Sequence, residues 1–272
     1  EPFRWTEDPI LRGYRFCCVR REDDRVTRWI DEHVRRPFEG HPHHWFMLCA
    51  TRQINWPHTL GLLIGDPEAD EEDRIYPGAW PSHEIFSPEK MGKALEDIAS
   101  MGKVFTGAYI VTAPSTKGTK KTTFVAERTL GNLWRDRERI ADVFSEGSMK
   151  RAHATLMRYD GWGPFLAYQA VVDMRFCAYL LGSANDVSTW AAAGPGTIRG
   201  LNRIHGRPVD APLSQERALS EMLPIYEVIE AETGVVIDLS DVPNILCETD
   251  KYLRVRNGEG RPRARYVPGR GA

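Results

Sequence analysis

The sequence lacks the long apolar run of a membrane span, since no stretch of about 18 apolar residues occurs in its 272 residues. It also lacks a basic start followed by an apolar core, so no signal peptide is expected and a cytoplasmic location is predicted. Its five cysteines are odd in number and show no C-x-x-C spacing. A disulfide framework is therefore not expected, and reduced thiols fit better.

Neither sign of charge is in large excess, because the formal net charge is −2. A surface for nucleic acid would have to be a local patch. The clearest basic patch lies at the end of the chain, where one acid, Glu259, accompanies six arginines: Arg254, Arg256, Arg261, Arg263, Arg265 and Arg270. Contact with phosphates and simple solvation both remain open for this segment. We predict a helical catalytic and DNA-binding domain over 1–253 and a basic tail over 254–272.

Two common catalytic signatures are also missing. The run Gly118-Thr-Lys-Lys-Thr-Thr123 lacks the first glycine and the strand-to-helix setting of a P-loop, so the chain is not a P-loop kinase. His43 and His44 have no carboxylate or cysteine at metal-ligand spacing, and no metal site is predicted.

The periodicity of the apolar residues predicts a mainly α fold, with a single multi-helix domain. The expected helix starts are Asp8-Pro9, Pro57, Ser87-Pro88, Pro164, Asp186, Thr197, Ser214 and Asp241. The helix from Pro164 is expected to reach Leu181, and a short helix capped by Asp186 is expected to end at Ala193. The β-like run 104–112 predicts a small hairpin or an extended insert.

Two glycine-cornered turns are the most informative features present, in the segments 160–173 and 193–201. Each turn opens into a helix, so Gly163 in the first and Gly194 and Gly196 in the second would let backbone N–H groups approach a phosphate. Arg199, one turn into the second helix, would reach the same anion. The order helix, Gly-Pro-Gly, helix is compatible with a helix-hairpin-helix DNA-binding element. Ordinary helix punctuation by glycine and proline is the alternative.

The first turn also carries side chains suited to a base flipped out of DNA. Trp162 would stack on the base, Gln169 would bond its edge, and Asp173 would transfer a proton. Gln169 and Asp173 are four residues apart and so share a helix face. In the alternative interpretation Trp162 belongs to the core and Asp173 pairs with a nearby arginine such as Arg175 or Arg199.

Two further segments are rich in polar residues of functional type. Residues 15–29 are dense in arginine, which suits a substrate with several negative charges, although a solvated helix face is the usual alternative. Arg52 and Asn55 are three residues apart and would line a polar pocket.

Six motifs together resemble a phage-centred family of DNA base hypermodification proteins. That family includes the helical domain associated with 5-hydroxymethyluracil DNA kinases and the α-glutamyl- and α-putrescinyl-thymine pyrophosphorylases, which are viewed as amino-acid or polyamine:DNA transferases. The motifs are Trp5-Thr-x-Asp-Pro-Ile-Leu, Tyr14-Arg-Phe-x-x-Val-x-Arg-x-x-Asp-Arg-Val-Thr-x-Trp29, Arg52-Gln-Ile-Asn55, Gly163-Pro-Phe-Leu-Ala-Tyr-Gln-x-x-x-Asp173, Gly194-Pro-Gly-x-x-Arg-Gly-Leu201 and Leu246-Cys-Glu-x-Asp-Lys-Tyr252. The chain departs from the pattern at Cys17 and Cys18, where the family has Thr-Asn.

Because no kinase domain is recognisable, the resemblance implies a transfer step that exchanges phosphate or pyrophosphate on 5-hydroxymethyluracil in DNA for an amine. The resemblance implies the following roles. The leaving group would be stabilised by Arg15, Arg25, Arg52 or Arg199. The general base, which takes a proton from the incoming amine, would be Asp173, Glu248 or Asp24. The flipped uracil would stack on Trp162, Tyr168 or Trp56, and Asn55 and Gln169 would contact it. Lys251 would hold the donor's carboxylate or a DNA phosphate.

The implied partners are double-stranded DNA with modified thymine, an amino acid or polyamine as co-substrate, and a 5-hydroxymethyluracil DNA kinase in the same pathway. No cofactor is required by the resemblance, although Mg²⁺ is compatible with it. A phage-encoded protein would act in the cytoplasm of the bacterial host. Two other functions stay open: a helix-hairpin-helix DNA glycosylase, and a non-catalytic DNA-binding subunit of a base-modification system.

Overall fold

The computed structural model of the chain describes residues 6–66, 70–81, 86–107, 119–262 and 265–266. Within these ranges the chain forms thirteen α-helices and no strand, apart from an isolated antiparallel bridge between Tyr14 and Arg265. The prediction of a mainly helical fold is confirmed. The predicted hairpin over 104–112 lies largely in residues 108–118, which are outside the described ranges, and it stays a prediction.

The helices have the following bounds: α1 Pro9–Gly13, α2 Arg25–Ile30, α3 His44–Ile54, α4 Pro57–Ile64, α5 Pro88–Met101, α6 Lys121–Thr123, α7 Gly131–Arg135, α8 Arg137–Ser145, α9 Met149–Leu156, α10 Pro164–Arg175, α11 Pro195–Ile204, α12 Gln215–Thr233 and α13 Asp241–Arg256. Three π-helical segments, Asp31–Arg35, Phe124–Leu130 and Ala178–Gly182, and two 3₁₀ turns, Arg21–Asp23 and Glu71–Asp73, complete the list. None of the helices in the described part of the chain combines the length and the apolar character of a membrane-spanning segment.

The chain divides into two compact units, which are described separately below. The central unit consists of residues 25–187, and the terminal unit of residues 1–24 together with 188–272. The predicted division at residue 253 falls inside α13, which continues to Arg256.

The core of the central unit is built around α3 and α10, which pack against each other. All residues of α3 are buried, as are Leu166–Met174 of α10. A helix that is buried on every side needs apolar residues on every side, and both segments meet this requirement except at a few polar positions. Among those polar positions are Arg52 and Asp173, which lie at the centre of the candidate site.

The terminal unit is organised by the packing of α11 on α13. A Cβ added at Gly200 would lie 2.5 Å from the Leu246 carbonyl oxygen, so the two helix backbones approach as closely as glycine permits. The N-terminal segment lies against the start of α13. The Arg21 N–H donates to Asp241 at 2.7 Å, and the Asn244 amide donates to the Cys18 carbonyl at 2.9 Å.

Helix α12 is attached to this unit mainly through its first half. Only Ala218 and Met222 of the helix are buried, and both precede Pro224, which lies inside the helix. The second half exposes Val228 and several glutamates. The sequence contains no Lys or Arg between Arg217 and Lys251.

One predicted helix is absent and three predicted helix boundaries are wrong. Helix α11 begins at Pro195 rather than Thr197. Residues 183–193 form turns and extended chain rather than a helix, because the Asp186 carboxylate caps α9 instead, accepting from the N–H groups of Met149 and Lys150 at 2.8 and 3.0 Å. Helix α10 ends at Arg175 and is followed by the π-helical turn. Asp241 is the first residue of α13 rather than its cap.

Candidate functional site

The residues predicted for the site fall in both units. The central unit contains Arg25, Arg52, Asn55, Trp162, Gly163, Tyr168, Gln169 and Asp173. The terminal unit contains Arg15, Asp24, Gly194, Gly196, Arg199, Glu248 and Lys251.

A buried ion pair between Arg52 and Asp173 lies at the centre of the first cluster. The Arg52 Nε and Nη2 atoms donate to the two carboxylate oxygens of Asp173 at 2.5 and 2.6 Å. The same guanidinium donates to the Asn55 side chain at 3.2 Å and to the Thr27 hydroxyl at 3.1 Å. Arg52 is 1% exposed and Asp173 is 0% exposed.

The geometry shows how the Asp173 carboxylate is paired. It is paired, as the structural interpretation expected, but its partner is Arg52 rather than Arg175 or Arg199. Both oxygens of the carboxylate are engaged and screened from solvent, so the pair holds α3 to α10. The structure brings Arg52 and Asp173 together and encloses both side chains.

Asn55 is held by the same cluster. It caps the end of α3 in the left-handed conformation, at φ 47°, and is the one non-glycine residue with positive φ among the described residues. Asparagine adopts this conformation more readily than most residues. The contact with Arg52 therefore links a helix terminus to the buried ion pair.

The first glycine turn is fixed from two sides. The Gln53 amide donates to the Gly161 carbonyl at 3.1 Å, and Arg128 pairs with Asp160 at 2.7 Å. Gly161 has φ 82°, and a Cβ there would lie 2.3 Å from the Thr129 hydroxyl. Glycine is thus required at this corner by both conformation and space.

The aromatic and amide residues of this turn are packed inward. Trp162 is 2% exposed, Tyr168 is 5% exposed and Gln169 is 3% exposed. This arrangement fits the core interpretation of Trp162, since a stacked base would need an open ring face. Gly163, in contrast, is exposed and has no atom within 4 Å of its missing Cβ.

The second glycine turn contains two different glycines. A Cβ at Gly196 would lie 2.4 Å from the Cys247 sulfur, so the absence of a side chain there is explained by helix packing. Gly194 has open space around it and precedes a helix start that no side chain caps. The turn is held by Gln215, whose amide bonds both the N–H and the carbonyl of Ala193 at 2.9 Å. Because residues 183–193 are not helical, the first helix of the expected hairpin element is absent.

Arg199 is engaged within the terminal unit. It pairs with Asp250 at 3.1 Å and with Asp210 at 2.5 Å. Arg203 takes the other oxygen of Asp250 at 2.7 Å and also pairs with Glu259, whose pKa is lowered to about 2 chiefly by that contact. Asp250 therefore joins two arginines of α11 to α13. Sequence reasoning missed this role, although Asp250 lies in the last motif and the two arginines are four residues apart.

A second acid–base pair lies on α13 and is partly open to solvent. Lys251 Nζ donates to both oxygens of Glu248, at 2.7 and 2.5 Å, and lies 5.3 Å from the centre of the Phe16 ring. The Cys17 N–H also donates to Glu248, at 3.1 Å. The side chains of Glu248 and Lys251 are 16% and 21% exposed.

The surroundings of this pair define its chemistry. Arg15 is exposed, and its side chain forms no ion pair with any residue that the structure describes, although its carbonyl accepts from Lys251 at 3.4 Å. The pKa of Cys17 is raised to about 11, although the residue retains solvent contact. Partial burial is the largest cause of this rise, and the charge of the Glu248 carboxylate is the second. The thiol therefore stays protonated at neutral pH and is a poor nucleophile.

Three predicted residues remain. The Lys103 amino group lies 3.8 Å from the centre of the Trp56 ring, and the other two residues are adjacent on the chain. Asp24 is half-buried and Arg25 is exposed at the start of α2. No group of three or more His, Cys, Asp or Glu in the described ranges is arranged to hold a metal ion.

Comparison with known proteins places the chain in a family. Residues 1–261 match the family model described as the helical domain of 5-hmdU DNA kinase, where 5-hmdU is 5-hydroxymethyldeoxyuridine. No curated protein and no solved structure shows a significant match. Because the match covers nearly the whole sequence, the chain belongs to this family of helical domains.

Proposed function

We propose that this member of the 5-hmdU DNA kinase helical-domain family acts in thymine hypermodification, as an amino-acid or polyamine:DNA transferase. Its substrate would be DNA that carries 5-(pyro)phosphoryloxymethyluracil. The family match over residues 1–261 carries the DNA-modification part of the proposal. The part-exposed pair of Glu248 and Lys251 supports the transfer chemistry.

The proposed reaction forms one bond and breaks one. The amine nitrogen attacks the 5-methylene carbon as the bond from that carbon to the (pyro)phosphate oxygen breaks, and the leaving group takes the bonding electrons. The attacking nitrogen then loses a proton to a carboxylate. Positive charge near the departing oxygen lowers the barrier.

Glu248 is the carboxylate that best suits proton transfer. Both oxygens of Asp173 are occupied by a buried arginine, whereas Glu248 retains contact with solvent. Lys251 lies beside it and would bind the donor's carboxylate or a DNA phosphate. Arg15, which is exposed and not ion-paired within the described residues, would stabilise the leaving group.

The test uses duplex DNA that contains 5-(pyrophosphoryloxymethyl)uracil, incubated with amino acids and polyamines, with and without Mg²⁺. The DNA is then digested to nucleosides and their masses are read. We expect a new nucleoside with the mass of an amine adduct, which also identifies the donor. The variant Glu248→Gln should reduce the rate at least about 100-fold, the lower range for loss of a general base, while the exposed control Glu230→Gln keeps full activity.

The other outcomes identify the competing functions. An abasic product would indicate a glycosylase and would overturn the transferase proposal. Unchanged nucleosides together with tight DNA binding would indicate an accessory subunit. Equal activity of Glu248→Gln and the wild-type protein would remove Glu248 as the base.

A further inference from the structure

A polar cleft in the central unit lies outside the residues that any motif singled out, except for Asp160 at its edge. It has a volume of about 270 Å³ and lies among the ends of α7 and α9, the start of α8 and the first glycine turn. Its lining consists of Asn132, Arg135, Asp136, Arg158, Tyr159 and Asp160.

The two carboxylates of the cleft are already satisfied. Asp136 accepts from Arg139 at 2.6 Å and from the Tyr159 hydroxyl at 2.7 Å, and these contacts lower its pKa. Asp160 accepts from Arg128 at 2.7 Å. Each acid is thus neutralised by an arginine that is not part of the lining.

The two arginines of the lining take part less, although the charge of Arg135 is the last of the causes that lower the pKa of Asp136. Arg135 and Arg158 are exposed, and neither forms an ion pair within the described residues. Four arginines therefore face two aspartates in and around the cleft, which leaves a local excess of positive charge. Arginine presents several donors in a planar fork that fits phosphate oxygens.

The cleft borders the first glycine turn at Asp160. Asp160 lines the cleft and is followed directly by Gly161-Trp162-Gly163, where α10 begins without a side-chain cap. The first N–H groups of that helix have no intrahelical acceptor. Arginines without an ion pair and an uncapped helix start are each features that suit phosphate.

We propose that this cleft binds backbone phosphates of the DNA strand that carries the target base. The inference rests on the proposed function for the presence of DNA, and adds Arg135 and Arg158 as its contacts. The cleft is polar and Tyr159 is its one aromatic residue, so its chemistry favours phosphate over a base. Inorganic pyrophosphate has the same chemistry and must be distinguished by experiment.

The test measures binding of a fluorescent unmodified duplex between 50 and 200 mM salt, by anisotropy. The double variant R135A/R158A should bind about 10- to 100-fold more weakly at 0.1 M salt, with a salt slope smaller by about two. The control R36A/K93A removes the same charge from exposed positions outside the cleft and should bind as the wild type does. The variant R135K/R158K should recover most of the affinity. Unchanged melting temperatures show that every variant is folded.

Three results would overturn the inference, and a fourth would contradict the proposed function on which it rests. Wild-type affinity and salt slope in R135A/R158A would exclude the cleft while leaving the transferase proposal intact, provided that amine adducts still form. If R36A/K93A lowered the DNA affinity by the same factor, the effect would come from overall charge rather than from the cleft. Loss of direct pyrophosphate binding in R135A/R158A with unchanged DNA affinity would assign the cleft to the free anion. Absence of DNA binding by the wild-type protein would contradict the proposed function itself.

Discussion

Two acid–base pairs come from the sequence motifs, and they lie in opposite environments. Arg52 and Asp173 in the central unit are almost completely buried, and the arginine is bonded further to Asn55 and Thr27. Lys251 and Glu248 in the terminal unit keep part of their surface in solvent and contact a backbone N–H. Similar residue types therefore serve different purposes.

Enclosure, rather than residue type, separates a pair that stabilises the fold from a pair that can meet a ligand. A buried charge must remain paired, because the energy of removing it from water is recovered only by its partner. A part-exposed pair can exchange its partner at small cost, because solvent replaces the lost contact. The predictions below test this separation.

The largest effect is expected from Asp173→Asn. The change leaves the Arg52 guanidinium buried without a counter-charge, and should reduce the free energy of unfolding by about 3–5 kcal/mol. Urea denaturation measures this loss. The matched control Asp210→Asn changes an exposed carboxylate that also pairs with an arginine, and should cost less than about 1 kcal/mol.

A double variant tests whether the lost stability comes from an unpaired buried charge. Arg52→Met with Asp173→Leu removes both charges and should recover much of the stability lost in Asp173→Asn. If Asp173→Asn were instead as stable as the wild type and inactive in transfer, Asp173 would be catalytic and the contrast between the pairs would fail.

The glycines provide the next test. Gly200→Ala should lower the free energy of unfolding by about 1–3 kcal/mol, because its Cβ would meet the Leu246 backbone. Gly194→Ala and Gly163→Ala have open space and ordinary negative φ, so both should stay within about 0.5 kcal/mol of the wild type. Reduced DNA binding by these two stable variants would support phosphate contacts at the turns, and a severe loss of their stability would contradict the packing argument.

The two units should also differ in their response to acid. Burial lowers the pKa of His44 in the central unit from 6.5 to about 4. The unfolded chain therefore takes up a proton between these values while the folded chain does not, and stability falls as the pH falls through that window. Contacts with Arg207, then Arg217, lower the pKa of Glu221 in the terminal unit from 4.5 to about 2. The stability that this carboxylate contributes to the folded chain is therefore lost as the pH falls from 4.5 to about 2.

Urea denaturation at a series of pH values checks both windows. His44→Phe should remove a loss of roughly 1–3 kcal/mol between pH 6.5 and 4. Glu221→Gln should remove a loss of about 1 kcal/mol between pH 4.5 and 2, smaller because solvent screens this pair. An unchanged pH profile in His44→Phe would show that another group titrates in its place.

Among the changes to charged pairs, a small effect on stability is expected at the open pair of Glu248 and Lys251. Lys251→Met should change the free energy of unfolding by no more than about 1 kcal/mol, because the part-exposed Glu248 regains water. Denaturation and amine transfer are measured on the same preparation. If Lys251→Met lowered the free energy of unfolding by more than about 2 kcal/mol, this pair would stabilise the fold in the same way as the buried pair of Arg52 and Asp173.

The sequence predicted the parts of the fold that depend on neighbouring residues. Asp8, Ser87 and Ser214 cap their helices as expected, because a capping side chain bonds N–H groups two or three residues ahead. Gly234 ends α12 in the left-handed conformation. Asp186 misled the prediction because its carboxylate caps a helix that begins 37 residues earlier in the chain.

The candidate site depended on contacts that sequence spacing does not contain. Arg52 and Asp173 are 121 residues apart, and no local pattern indicates that they pair. Gly194 and Gly196 look equivalent in the motif, yet one has open space and the other makes room for Cys247. Only the packing of α11 on α13 distinguishes them.

The charge pattern of α12 has a practical consequence for protease mapping. Trypsin cuts after Lys or Arg, and the chain offers it no site between Arg217 and Lys251. Survival of fragment 218–251 in a tryptic digest would therefore reflect missing cleavage sites rather than a protected fold. A glutamate-specific protease meets exposed Glu227, Glu230 and Glu232 beyond Pro224, and is the reagent that reports how firmly the far half of this helix is held.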